Sequence, residues 1–390
     1  MLKIISLILS LIVFFAAIWI ITPAPAYNIW LFSVAASEWS LWLGAIAVPA
    51  IILSLCVPIF GDGKLWIASL IVSFAALVIS LYPLLSVLSL ASEQNVSLSL
   101  GDYFSGLKSG EVSAGDFTTH TFADFDGKKL QFDVYAPKTE NENNGAAIIV
   151  IHGGSWNGGS RNDFPQWNKW LAVNGFTVFD IDYRLAPQPN YLSAAGDVKC
   201  AVLWIKEHAK EFNISPNRIA LFGRSAGAHL ALLAAYSAND SSLPSSCPAN
   251  DQNEMVRAVI SFYAPVELLW AYDHPANEYV INGPKTLAAF LGGNPHESAE
   301  IRDRFLLASP TTHISRKTPP TLLVHGGHDQ LVRRENVQFL DEKLNENDIP
   351  HTSIFIPYAQ HGFDYNFHGW GSQITKPVTL DFLRENTKNK

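Results

Sequence analysis

The chain has 390 residues, of which 48% are hydrophobic and 16% are charged, and its formal net charge is −8. This composition excludes a long disordered protein, since such chains are rich in charge and poor in apolar residues. The acidic balance argues against a nucleic-acid partner, because proteins that bind nucleic acid normally carry a basic patch. Three cysteines are too few for a disulfide scaffold or a cysteine-rich zinc module.

The first ninety residues predict a transmembrane region. Residues 1–92 contain four charged side chains that sum to zero, namely Lys3, Glu38, Asp62 and Lys64. Because about 20 apolar residues cross the hydrocarbon core of a bilayer, we expect three spans, near 4–22, 38–60 and 65–90. The first apolar run, followed by Ala24-Pro25-Ala26, also resembles a cleavable secretory signal. Its length favours an uncleaved helix.

The few positive charges of this region predict its orientation, since Lys and Arg favour the cytoplasmic side of a membrane. Lys3 precedes the first span, Lys64 lies in the turn at 61–64, and the loop at 23–37 has neither Lys nor Arg. We therefore expect the N-terminus in the cytoplasm and the C-terminal domain on the extracytoplasmic side. A cleaved signal would place that domain on the same side.

Residues 93–115 are rich in Ser, Gly and Asp and predict a linker. From 116 to 390, short apolar strands alternate with helical patterns, which predicts an α/β domain with a mostly parallel sheet covered by helices. Eight strands are expected, near 117–124, 129–136, 146–153, 176–183, 218–225, 257–264, 321–327 and 352–359. Asp126-Gly127 between the first two indicates a hairpin. Helices are expected near 193–211, 226–238, 333–346 and 376–387.

A candidate nucleophile follows the fifth strand. Gly223-Arg224-Ser225-Ala226-Gly227 lies between an apolar strand and a helical run, and G-x-S-x-G in this setting is typical of a nucleophile elbow. The glycines leave room for a tight turn that exposes the Ser225 hydroxyl.

A serine hydroxyl is a weak nucleophile until a base accepts its proton. His361, in a short glycine-containing loop after the last strand, is the candidate base. Asp329, after the strand at 321–327, is the candidate acid that orients the imidazole. Asp364 is its nearest rival, but it has no preceding strand of its own. The order Ser225, Asp329, His361 is the chain order of α/β hydrolases.

The oxyanion that develops during acyl transfer needs N–H donors held in place beforehand. His152-Gly153-Gly154-Ser155-Trp156 follows the third strand, and its glycines would let backbone N–H groups approach a substrate. Ala226, directly after the nucleophile, would supply another donor.

Together these motifs resemble the α/β-hydrolase fold, and more narrowly the hormone-sensitive-lipase-like carboxylesterases and the related acetylxylan/feruloyl esterase (BD-FAE-like) group. The resemblance covers about residues 140–390 and rests on HGGSW (152–156), DYRLAP (182–187), GRSAGAHLA (223–231), ASPTTHI (308–314), PPTLLVHGGHDQLV (319–332) and QHGF (360–363). It implies that Gly154, Ser155 and Ala226 form the oxyanion hole, with Gly153 as a further contributor.

Two residues depart from the pattern of these esterases. Ser155 stands where a third glycine is usual, and it narrows the pocket or offers a hydrogen bond. Arg224 precedes the nucleophile, where an acidic residue, His or Gln is commoner. Either Arg224 favours an acidic substrate or it pairs with a nearby carboxylate, which is the favoured reading. Trp156, Arg224 and Tyr263 are candidate pocket residues, and a cap insertion is expected near 266–312.

The sequence therefore predicts a membrane-anchored serine carboxylesterase acting on a small-molecule, lipid or glycan ester. An amidase or peptidase using the same triad stays open, because kynurenine formamidases share a similar elbow. So does a non-catalytic binding module.

No metal-ligand spacing, P-loop or dinucleotide fingerprint is visible, so we expect neither a metal nor a cofactor. Cys200 and Cys247 would pair in an oxidising space, but the helical pattern around Cys200 favours a small buried residue.

Overall fold

The computed structural model describes residues 2–60, 64–106, 116–139, 142–248 and 251–388. Its N-terminal part consists of the helices α1 (Leu2–Ile18), α2 (Tyr27–Glu38), α3 (Ser40–Cys56) and α4 (Leu65–Glu93). The sequence predicts a loop at 23–37, where the structure contains α2 instead. Apart from Lys64, the turn predicted at 61–64 lies outside the described residues.

Helices α1, α3 and α4 pack together with small side chains inside and large apolar side chains outside. The buried positions include Ser6, Ser10, Ala17, Gly44, Ala47, Ala50, Ser54, Ser69, Ser73, Ala76 and Ser80. The exposed positions include Ile4, Ile8, Ile12, Phe15, Ile46, Ile52, Ile71 and Phe74. A bundle in water buries its large apolar residues instead, whereas small residues at helix contacts are typical of bundles in lipid.

The helices differ in whether they reach the length of a membrane span. Within the described residues, α4 alone is long and apolar enough to cross a bilayer by itself. α2 and α3 reach that length together, but they are bent by 81° at the break between them. α1 is apolar but has only 17 residues. By length and composition alone, one of the three predicted spans therefore qualifies.

The C-terminal domain is built on an eight-stranded sheet. Its strands are β1 (Thr118–Phe125), β2 (Lys128–Tyr135), β3 (Ala147–Ile151), β4 (Thr177–Ile181), β5 (Ile219–Arg224), β6 (Ala258–Phe262), β7 (Thr321–Gly326) and β8 (His351–Ile356). They lie in the order β1-β2-β4-β3-β5-β6-β7-β8. β1 and β2 form the predicted hairpin, β2 pairs antiparallel with β4, and the remaining pairs are parallel. All eight strands predicted from the sequence are present.

Helices cover both faces of this sheet. They are α6 (Pro165–Val173), α7 (Tyr191–Glu207), α8 (Ala226–Tyr236), α9 (Leu268–Asp273), α10 (Gly283–Leu291), α11 (Ala299–Leu307), α12 (Glu335–Glu346) and α13 (Trp370–Asn386), following the short helix α5 (Leu100–Ser105). Ile149 and Leu221 pack in one core with α7, α8 and α12. Ile148 and Phe222 alternate to the other face and pack in a second core with α6 and α13. α6 is absent from the sequence-based expectations.

Three helices lie between β6 and β7. α9, α10 and α11 occupy the segment between β6 and β7 where the sequence predicts a cap, and we refer to residues 266–312 as the cap.

The structure bonds Cys200 to Cys247, with their Cα atoms 5.1 Å apart, which corrects the expectation of an unpaired buried Cys200. A helical position does not prevent pairing, because a disulfide requires only that the two Cα atoms lie within reach.

The N-terminal helices pack directly on the C-terminal domain. Val87 and Ala91 of α4 belong to the same core as Trp370 of α13. Tyr103 of α5 stacks on Trp370 with ring centroids 4.4 Å apart, and its hydroxyl accepts a hydrogen bond from the Leu41 backbone N–H at 3.2 Å. The described part of the segment predicted as a linker, residues 93–106, therefore contains the helix α5, which contacts both α13 and the N-terminal helices. Residues 107–115 lie outside the described part of the chain.

Candidate active site

The predicted nucleophile elbow is a tight turn between β5 and α8. Ser225 has φ 54° and ψ −122°, a conformation that residues other than glycine adopt rarely and at a cost. A Cβ atom added to Gly223 or Gly227 would lie 2.3 or 2.2 Å from a backbone oxygen. The turn therefore requires a glycine on each side of the serine.

Ser225, His361 and Asp329 form one hydrogen-bonded line. Ser225 Oγ lies 2.8 Å from His361 Nε2, and His361 Nδ1 lies 2.7 Å from Asp329 Oδ2. A carboxylate can only accept, so Nδ1 donates to Asp329 and Nε2 is left to accept from the serine hydroxyl. The three residues follow β5, β7 and β8, so they meet beyond the carboxyl ends of parallel strands.

Asp329 is buried and held in place by the chain that follows it. Its Oδ1 accepts hydrogen bonds from the backbone N–H groups of Leu331 at 2.8 Å and Val332 at 2.9 Å. Burial alone would raise the pKa of Asp329, but the adjacent His361 ring and these N–H donors outweigh burial and hold that pKa below its usual value. The carboxylate therefore stays charged beside the imidazole.

The loop after β3 brings the predicted oxyanion residues to the nucleophile. A Cβ atom on Gly153 would lie 3.3 Å from the Ser225 Cβ, and one on Gly154, at φ 111°, would lie 2.1 Å from the Gly158 carbonyl oxygen. Ser155, Ser225 and Ala226 line the same cavity. The loop after β3 and Ala226 therefore lie close to Ser225 at the same cavity.

A cavity lies above Ser225. Its wall away from the serine combines cap residues with the segment after β7 and includes Ala271, His274, Ile281, Leu287, Leu331 and Arg333. Trp156 lines the cavity as predicted, and it also stacks on Phe290 of α10 at 4.3 Å between ring centroids. The cavity is mostly apolar, which suits an acyl chain.

His229 fixes the orientation of Trp156 and was not identified from the sequence. The Trp156 indole donates to His229 Nδ1 at 3.1 Å, and His229 Nε2 donates to the Ala308 carbonyl at 2.7 Å. Burial lowers the pKa of His229 to about 4, so its ring is neutral and can make both bonds. Its place in the motif GRSAGAHLA, one helical turn after Ser225, was a usable signal.

Arg224 and Tyr263 are candidate pocket residues by sequence, but neither is among the residues that line the cavity. Arg224 is 1% exposed, and its Nε donates to Asp364 Oδ2 at 2.5 Å, with the guanidinium 4.1 Å from the Phe164 ring centre. The Tyr263 hydroxyl donates to Asp364 Oδ1 at 2.5 Å, and its ring centre is 4.5 Å from that of His361. The first contact agrees with the interpretation that Arg224 pairs with a nearby carboxylate. Asp364, the alternative candidate for the acid beside His361, bonds to Arg224 and Tyr263, whereas His361 Nδ1 bonds to Asp329.

A group of three amides, of which Gln360 is buried, joins the loops after β7 and β8 to the N-terminal helices, and the sequence did not reveal it. We call Gln330, Gln360 and Asn277 the amide bridge. Gln330 Nε2 donates to Gln360 Oε1 at 2.8 Å, and Gln360 Nε2 donates to Ser33 Oγ of α2 at 2.9 Å. Gln330 Oε1 accepts from the Ala24 backbone N–H at 2.7 Å and from Asn277 Nδ2 at 2.9 Å. Gln330 follows Asp329 and Gln360 precedes His361, so adjacency to the triad was the available signal.

The sheet order, the elbow and the order of the three aligned residues define an α/β hydrolase. Solved structures agree on the fold. An esterase from the planctomycete Thermogutta terrifontis, Est2, matches with a TM-score of 0.56 at 24% identity, covering 69% of this chain and 92% of its own. Its sarin-phosphonylated form matches with a TM-score of 0.57 at 23% identity, covering 70% and 95%.

Within that class, the chain belongs to the BD-FAE family, whose model matches residues 132–344, more than half of the chain. Among similar proteins of Mycobacterium tuberculosis, "Probable carboxylic ester hydrolase LipM" is 29% identical over 65% of this chain and 56% of its own length. "Esterase LipC" is 29% identical over 60% of this chain and 56% of its own. The chain thus spans little more than half the length of these relatives.

Proposed function

We propose that this protein is a membrane-anchored serine carboxylesterase. The observation that carries the proposal is the hydrogen-bonded line Ser225–His361–Asp329 beside an apolar cavity. The names of the relatives LipM and LipC, both ester hydrolases, support the same reaction. The chain order of the three residues and the distances between their side chains are those expected of a serine triad.

The proposed reaction proceeds through an acyl-enzyme. The Ser225 hydroxyl attacks the ester carbonyl while His361 Nε2 takes its proton, and Asp329 stabilises the imidazolium that forms. The backbone N–H groups of Gly154, Ser155 and Ala226, with Gly153 beside them, bind the oxyanion. His361 then protonates the leaving alcohol, and a water molecule releases the acid by the same steps in reverse.

Membrane anchoring is part of the proposal and is supported by the packing of α1, α3 and α4. The bundle buries serine and alanine and exposes isoleucine, leucine and phenylalanine, an arrangement that is favourable in hydrocarbon and costly in water. Ser6 and Ser54 hydrogen bond between α1 and α3 at 3.0 Å, as polar side chains do between helices in lipid. We infer three spans, with α2 lying across the end of the bundle.

We place the catalytic domain on the extracytoplasmic side. Its contacts with the bundle described above involve residues 24, 33, 41, 87 and 91, at the end opposite Lys3 and Lys64. Positive residues favour the cytoplasmic end. The Cys200–Cys247 disulfide supports this side independently, because disulfides persist in oxidising compartments.

The proposal is tested with a fluorescent fluorophosphonate probe on membranes that contain the full-length protein. Wild type should be labelled and Ser225→Ala should not, and Ser225→Ala should lower kcat for a simple ester by roughly 10⁶-fold. Intact cells treated with a probe that does not cross the membrane should also be labelled. Normal ester hydrolysis by Ser225→Ala would refute the nucleophile, and absent labelling of an intact wild-type protein would favour a binding module.

Comparing the hydrolysis of an ester with that of an amide of the same acyl group distinguishes a carboxylesterase from an amidase. The carboxylesterase proposal predicts a kcat/KM for the ester far above that for the amide. A ratio near one would point to an amidase on the same triad.

A further inference from the structure

A second, open cavity lies next to the cavity above Ser225 and reaches the segment that follows the first apolar helix. The two cavities share Ala276 and Arg333 in their walls. The second cavity is lined on one side by Pro23–Pro25, the connector between α1 and α2, and on the other by the cap residues Asn277–Tyr279. Gln330 forms part of its base. A molecule leaving Ser225 by this route therefore passes between the connector and the cap.

Hydrogen bonds fix the connector to both sides of this opening. The Ala24 backbone N–H donates to Gln330 Oε1 at 2.7 Å, and Asn277 Nδ2 donates to the Ala24 carbonyl at 2.7 Å. Ala24 is 1% exposed. The His328 ring, just before Asp329, stacks on Tyr82 of α4 with ring centroids 5.8 Å apart. The opening thus has a defined position at the end of the bundle and does not depend on a free tether.

The side chains around the opening are those of a membrane interface. α2 runs at 81° to α3, so it lies across the bundle end if α3 crosses the bilayer. It buries Trp30 and Ser33 on the catalytic domain and exposes Tyr27, Leu31 and Phe32. Tyr279, on the cap side of the opening, is 80% exposed. Exposed aromatic side chains at this level are typical of the headgroup region.

We propose that the substrate is the carboxylic ester of a membrane amphiphile, which reaches Ser225 from the bilayer through the opening between residues 23–25 and 276–279. The proposal rests on the esterase activity proposed above. The acyl chain would occupy the apolar cavity, and the alcohol portion would remain at the opening. The ester C–O bond breaks, the alcohol leaves with the proton from His361, and water completes hydrolysis to the free fatty acid.

The test compares two esters with one leaving alcohol. Full-length protein in phosphatidylcholine vesicles is given 4-methylumbelliferyl oleate, which partitions into the bilayer, or 4-methylumbelliferyl acetate, which stays in water. We expect hydrolysis of the oleate, at a rate that follows its mole fraction in the bilayer rather than its bulk concentration. Hydrolysis of the acetate and fluorophosphonate labelling report the catalytic residues separately.

A variant at the opening tests the route. Tyr279→Asp removes an exposed aromatic ring of the kind that favours a membrane interface and adds a second negative charge next to Glu278, which also lines the opening. It should lower oleate hydrolysis about tenfold or more, with acetate hydrolysis changed less than about twofold. Tyr365→Asp is the matched control, because Tyr365 is a 71% exposed tyrosine that does not line either cavity. It should leave both rates unchanged.

The outcomes separate this proposal from the proposed function. Acetate hydrolysis without oleate hydrolysis, or a higher rate on a soluble acetylated oligosaccharide than on the oleate, would overturn the lipid substrate and leave the esterase intact. Equal rates for Tyr279→Asp and wild type on the oleate, or an equal loss on both esters, would overturn the route. Loss of labelling and of all ester hydrolysis in the wild type would overturn the esterase itself.

Discussion

At the scale of single residues, Arg224 shows how a substitution beside the nucleophile serves the fold. Its charge is buried with that of Asp364, which also accepts from the Tyr263 hydroxyl. Tyr263 in turn packs against the His361 ring. The pair therefore holds Tyr263 against His361, the proposed base, and Arg224 is not among the residues that line the cavity.

Arg224→Met should destabilise the protein without changing its preference for substrate charge. Removing one partner of a buried ion pair leaves the other uncompensated, so the free energy of unfolding should fall by about 3–5 kcal/mol. Denaturant unfolding measures this loss, and the ratio of kcat/KM for a hemisuccinate and a butyrate ester measures preference. If the variant selectively lost the hemisuccinate, Arg224 would be a substrate contact. The double variant with Asp364→Asn should lose less stability than the two single losses added together.

Asp180 of β4 gives the stability of the domain a pH dependence. Burial raises its pKa to about 7, although the Asn162 backbone N–H and the Asn168 amide oppose the shift. Between about pH 4 and pH 7 the folded chain therefore holds a proton that the unfolded chain has lost. Stability should fall as the pH rises through this window.

The pH dependence is measured as the thermal midpoint Tm of wild type minus that of Asp180→Asn. Asparagine keeps an oxygen that accepts both hydrogen bonds but does not titrate. The difference should decrease from pH 4 to pH 7 and then level off. A constant difference would show that Asp180 is ionised throughout.

At the scale of elements, the sequence was informative where periodicity is local. The eight strands alternate or form short apolar runs between turn residues, so each is visible in its own eight residues. α2 was missed because the segment after Pro25 has no period that distinguishes an interfacial helix from a loop. α6 was missed because its nine residues are too few for a clear helical period.

The amide bridge is the element-scale feature that sequence could not predict, because Gln330 and Gln360 bond to Ala24 and Ser33 across 306 and 327 residues of chain. Gln360, which directly precedes the proposed base His361, is 2% exposed and hydrogen bonds to Ser33 of α2. Gln360→Leu should lower kcat about tenfold and change KM less than about twofold, because a misplaced imidazole affects the transition state more than binding.

Gln373→Leu is the control for that prediction. Gln373 is also buried and also joins the domain to the N-terminal region, through the Ser99 backbone N–H at 2.8 Å. It lies away from His361, so its loss should lower stability and leave kcat within about twofold of wild type. Equal effects of the two variants on kcat would mean that Gln360 acts only through folding.

At the scale of the whole molecule, the disulfide bears both on the stability of the catalytic domain and on the side of the membrane where that domain is proposed to lie. Cys200 in α7 and Cys247 close a loop with a sequence separation of 47, for which loop entropy alone predicts about 4 kcal/mol of stabilisation. The helical pattern around Cys200 favoured an unpaired buried residue, and no local pattern fixes the position of Cys247, which lies in an irregular segment. The bond forms only if this face of the protein is in an oxidising space, so it reports on the proposed orientation.

Counting thiols in protein purified from membranes tests both points. Cys56 is the one unpaired cysteine of the three. The denatured chain should therefore react with one equivalent of a thiol reagent before reduction and three after it. Cys247→Ser should lower Tm to the value of the reduced wild type, whereas Cys56→Ser should leave the effect of reductant on Tm intact. Three reactive thiols before reduction would contradict the disulfide and remove its support for an extracytoplasmic catalytic domain, leaving the positive residues as the remaining evidence for that side.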